Sequence, residues 1–137
     1  MKDHSKDSKK NQIIPSFTIM PDFGGAYICD NRKGNYRDPE FSAMVEIADR
    51  ISAKFPKKLL QDFEKWYRYF ELNAWEDSKL RAFDWRWFHR EGIELAVQLK
   101  QVCGDSAHVI YEKPFEDPNR KLNERREVLG DGQLIEA

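Results

Sequence analysis

Two short apolar stretches stand near the start of the chain, QIIPSFTIM at residues 12 to 20 and GGAYICD at residues 24 to 30. Both favour β structure, and the PDFGG between them has turn chemistry, so the pattern predicts a β-hairpin. After the polar loop DNRKGNYRDP the spacing changes. Phe41, Met44, Val45, Ala48, Ile51 and Phe55 recur on one helical stripe behind Asp38 and Pro39, an N-cap and a first-turn proline. This predicts a first helix ending near Phe55, where Pro56 breaks it and starts the next.

The second helix is predicted from Pro56 to Trp75, with Leu59, Leu60, Phe63, Trp66, Tyr67, Phe70 and Ala74 on its main stripe. Tyr69, Leu72 and Trp75 form a second stripe on the other side of its C-terminal half. A helix apolar on two sides is either sandwiched or turned towards a partner. Asp84 is placed to cap a third helix, whose core stripe is Trp85, Phe88, Gly92, Leu95, Ala96, Leu99 and Cys103, with Gly104 as terminator. A glycine inside such a stripe costs about 1 kcal/mol against alanine, so Gly92 predicts the close approach of another element. HVIYEKPF reads as a third strand, ended by Pro114. The polar tail, residues 116 to 137, ends in EVLGDGQLIEA, where Asp131-Gly132 between short apolar runs predicts a small final hairpin.

This order of elements is α+β: a short antiparallel sheet with about three helices packed on one face. At 137 residues the chain is long enough for one core, and residues 12 to 137 are read as a single domain. Residues 1 to 11 are read as a disordered basic arm. MKDHSKDSKK holds four lysines against two aspartates, and 19 basic against 22 acidic side chains remain beyond it. A net charge of -1 argues against general polyanion binding. The opening lacks the apolar stretch of a signal peptide and no membrane-length apolar run follows, so the expectation is a cytoplasmic protein with Cys29 and Cys103 reduced.

His89-Arg90-Glu91 matches half of a zinc-deaminase signature, but the P-C-x-x-C half is absent. His89 lies at the edge of the core stripe, as a hydrogen-bonded structural histidine would. Cys29 and His108 are the one thiol–base pair available to a small enzyme, with no third orienting residue. Glu91, Glu94, Glu112, Glu116 and Asp117 read as a solvated helix face and strand end. Gly24-Gly25 is a turn and lacks a phosphate-loop pattern. No catalytic, metal or cofactor residue is assigned. KWYRYF and RWFHR interleave bases with rings, as a single-strand-binding surface does, yet most of these rings belong to core stripes.

Tyr69, Trp75 and Trp87 are left over. Trp87 stands about 140° from the stripe that carries Trp85, beside Glu91 and Glu94. Tyrosine and tryptophan are enriched at interface hot spots, so these three rings and two carboxylates are the expected partner-binding residues.

FDWRWFHREGIELAVQLKQVCGDSAHVIYEKPFEDP, with PDFGGAYICDN upstream, resembles the small immunity proteins encoded beside bacterial polymorphic toxins of the Rhs, contact-dependent and type VI kinds. The shared pattern is a capped aromatic helix, a glycine, one strand and an acidic proline corner. The resemblance implies a non-catalytic module that neutralises a cognate toxin by stoichiometric binding. It implies no cofactor, and it assigns no residue. The alternatives kept beside it are a small enzyme using Cys29 and His108 or an unrecognised carboxylate pair, a single-strand nucleic-acid binder and a phage-type adaptor.

Overall fold

The computed structural model describes residues 16–21, 27–30, 56–74, 82–121 and 124–137. The expected basic arm, the first predicted helix and Trp75 lie outside them. The described elements are β1 (Ser16–Ile19), β2 (Ile28–Asp30), α1 (Lys57–Asn73), α2 (Trp85–Cys103), β3 (His108–Glu112), β4 (Arg125–Val128) and β5 (Leu134–Glu136).

The strands form one sheet in the order β2-β1-β3-β4-β5. Both predicted hairpins are present as antiparallel pairs, β1 with β2 and β4 with β5. At the centre the expectation of an antiparallel sheet is corrected. Ser16 pairs with His108 and Ile19 with Tyr111 in parallel, so the sheet is mixed. A hairpin can only return antiparallel, whereas a connection through helices lets a strand come back in the same direction. The chain between β2 and β3 includes both α-helices, and that length permits the parallel join.

Local chemistry sets the helix limits. α1 starts directly after Pro56. The Asp84 side chain accepts from the Trp87 backbone N–H at 3.0 Å and so caps α2. At the other end Gly104 takes a φ of 58°, a conformation that glycine adopts without strain.

α2 lies against β3 and β4, and α1 lies against α2. The core between them is aromatic. Trp66 stacks on Phe88 with centroids 4.5 Å apart, and the Trp66 indole N–H donates to the Phe88 carbonyl at 2.9 Å. Phe70 packs on both Phe88 and Trp85. Phe17, Ile19, Val109, Tyr111 and Val128 close the core from the sheet. Gly92 sits where α1, α2 and β3 converge. A Cβ there would lie 2.5 Å from Trp66 and 2.7 Å from Tyr111, which accounts for the glycine in the stripe. On the other face of the sheet Thr18 and Ile110 are also buried, so its centre is covered on both sides.

Candidate functional site

α2 carries its core residues along one line and leaves a flank on either side. On the first flank, Trp87, Glu91, Glu94 and Gln98 face Asp62, Lys65 and Tyr69 of α1, and together they line a groove of about 380 Å³. Trp66 and Leu95 form its apolar floor. Trp87 is half-buried against the core, and Tyr69 is exposed. Their rings meet edge to face, with centroids 5.1 Å apart. Four of the five expected partner-binding residues, Tyr69, Trp87, Glu91 and Glu94, therefore line one surface. The fifth, Trp75, lies outside the described residues.

The charges in this groove are unequal. Asp62 is taken by Lys58 at 2.9 Å, one helical turn away. Glu91 and Glu94 make no ion pair among the described residues, and Lys65 is the only cation in the lining. The surface therefore offers two rigid rings and two unpaired carboxylates over an apolar floor. That combination suits the contact surface of a basic protein partner more than a reaction.

The second flank of α2 holds a chain of hydrogen bonds that sequence reading did not assemble. His89 is buried, with Nδ1 2.7 Å from the Tyr111 hydroxyl and Nε2 2.6 Å from Asp117 Oδ2. With Nε2–H donating to the carboxylate, Nδ1 accepts from the phenol and every group is satisfied by a neutral ring. Burial lowers the imidazole below its usual range, against the pull of Asp117, and burial raises the Tyr111 phenol well above its own. Asp117 is held from behind by the Asn119 backbone N–H at 2.8 Å.

The reading of Asp117 as a solvated strand end is corrected: it is 4% exposed. The turn closed by the Asp117 N–H on the Pro114 carbonyl folds the segment back onto α2. The Asp-Pro-Asn step was the available signal for a side chain-to-backbone turn. Nothing local announced that the turn faces His89.

The thiol–base pair is not brought together. By register Cys29 pairs with Thr18, and Thr18 with Ile110, so His108 lies two strands over and two residues along. Standard spacings put the two Cα atoms roughly 12 Å apart. His108 instead sits 2.7 Å from Glu127. Cys103 is a buried free thiol whose pKa burial pushes up to about 11, which keeps it protonated. His89 and Glu91 diverge onto opposite flanks. Among the described residues no group of three or more His, Cys, Asp or Glu could hold a metal, and no helix is long and apolar enough to cross a membrane.

No protein-family model, curated protein or solved structure matches the chain. The resemblance to toxin-system immunity proteins rests on the residues quoted for it.

Proposed function

We propose that this chain is a non-catalytic, cytoplasmic protein-binding module, an immunity protein that neutralises a cognate bacterial toxin by stoichiometric binding through the groove between α1 and α2. One observation carries the reading. Tyr69 and Trp87, at the edge of the core, pack on each other beside two carboxylates that make no ion pair among the described residues, instead of scattering over the surface. The rings supply most of the affinity, and Glu91 and Glu94 speed the approach of a basic surface. The same acids repel a phosphate backbone, which counts against a single-strand nucleic-acid role for this flank.

The test begins with the reading frame beside this gene. Expressed alone it should arrest growth, and co-expression of the wild-type chain should restore growth and yield a 1:1 complex. Trp87→Ala should cost about 2 kcal/mol or more of binding free energy while the variant stays folded. A harmless neighbouring frame, or full affinity of Trp87→Ala for the toxin, would sink the proposal.

A further inference from the structure

The second flank of α2 opens into a pocket of about 530 Å³, within the size range of small-molecule sites. Trp85, Ile93 and Leu134 provide its apolar walls, and arginines stand around it. Arg86 and Arg90 are exposed, one helical turn apart, and neither makes an ion pair among the described residues. Their placement is unfavourable on two counts. Like charges at this spacing repel, and Arg86 sits in the first turn, where the helix dipole already presents positive charge. The Asp84 carboxylate caps this end of the helix, and the first turn adds no further acidic residue.

Arg126 joins them from β4, donating to the Arg125 carbonyl at 2.8 Å and feeling Glu124 only at longer range. The other charged groups in the lining are already engaged: Lys113 holds Glu124 at 2.8 Å, and Asp117 holds His89. Asp117 keeps its charge beside the neutral His89, so three arginines against one carboxylate leave the pocket with a positive rim above apolar walls.

We infer that this pocket binds a small organic anion, a planar ring system bearing a carboxylate or a phosphate. The anionic group lies between the Arg86 and Arg90 guanidiniums with Arg126 opposite, where planar donors match either group in pairs. The ring lies against Trp85 and Ile93. A bound anion relieves the repulsion between Arg86 and Arg90, so the cations that oppose folding become the ones that hold the ligand.

Calorimetric titration of the full chain tests this. The probes are benzoate, indole-3-acetate and adenosine 5′-monophosphate, with benzamide and adenosine as uncharged controls and inorganic phosphate as a ringless one. At least one ring-bearing anion should bind 1:1 with Kd below about 1 mM, and its uncharged counterpart and inorganic phosphate at least about tenfold more weakly. Whether carboxylates or the nucleotide bind identifies the source of the anion. Arg86→Glu with Arg90→Glu should weaken binding at least about tenfold at a melting temperature that does not fall. Should that pair disturb folding, Arg126→Gln serves in its place, with the same direction expected. Absence of saturable binding for all three anions up to about 10 mM overturns the inference. Equal binding of the uncharged controls, or undiminished binding by the folded arginine variants, overturns it too.

Discussion

On one side of α2 the residues outside the core are Trp87, Glu91, Glu94 and Gln98; on the other they are Arg86, Arg90 and Ile93. The first side meets the neighbouring helix across an open groove that ends in two touching rings. The second meets the sheet and a folded-back turn across a larger pocket lined by the His89–Asp117 contact. Their opposite charges nearly cancel in the net charge of -1. The overall balance therefore describes neither surface, and an argument from net charge against anionic ligands holds for long polyanions without reaching a single pocket.

The two tryptophans at the head of α2 offer the sharpest way to break this comparison. Trp85 is 7% exposed and touches Phe70, Phe83 and Phe88, so Trp85→Ala should cost about 3–5 kcal/mol of stability in denaturant unfolding. Trp87, half-buried at the groove, should lose far less stability on the same change. Equal losses would mean that both rings are structural and that the groove is merely the outer edge of the core.

A pH series separates the flanks more gently. The folded-state pKa of His89 is depressed by burial, so the unfolded chain binds a proton more readily. The sign follows: stability is fully present above the ordinary imidazole value of about 6.5 and falls as pH drops below it, with a slope of at most about 1.4 kcal/mol per pH unit. His89→Gln should be less stable at neutral pH and should flatten that slope. A slope that survives the substitution would assign the titration to another group. Glu124, held low by its hydrogen bond to Lys113, contributes only in the more acidic carboxylate range, with stability again lost as pH falls.

The smallest effect belongs to the acidic flank. Glu91→Lys with Glu94→Lys should change stability by no more than about 0.5 kcal/mol, because neither carboxylate has an ion-pair partner among the described residues. A large destabilisation would show that these acids serve the fold, leaving less reason to assign them to a partner.

What could be read from the sequence divides along the same physical line. Asp84, Gly104 and Pro56 act on their immediate neighbours, so the limits of α1 and α2 were legible within two residues or so. The helical stripe separated Trp85 from Trp87, and Gly92 announced a close contact before its partners, Trp66 and Tyr111, were known. Strand direction was not legible, because the β1–β3 pairing depends on the path of the chain between them. Nor was the meeting of Tyr69 with Trp87, which requires α1 to be docked on α2. Arg86 and Arg90 were visible as part of RWFHR, but their lack of counter-ions is a property of the folded surroundings.

The parallel join also has a consequence in time. During synthesis β1 leaves the ribosome early, yet the strand on its far side, His108–Glu112, follows only after both helices have been made. A hairpin of two short strands is marginal by itself, so β1 and β2 wait with one edge unpaired while the rest is translated. Loop-closure entropy makes such a long-range pairing a late event in folding. The newborn chain is therefore most prone to wrong strand partners in that interval, and a translational pause just before His108 would lengthen it.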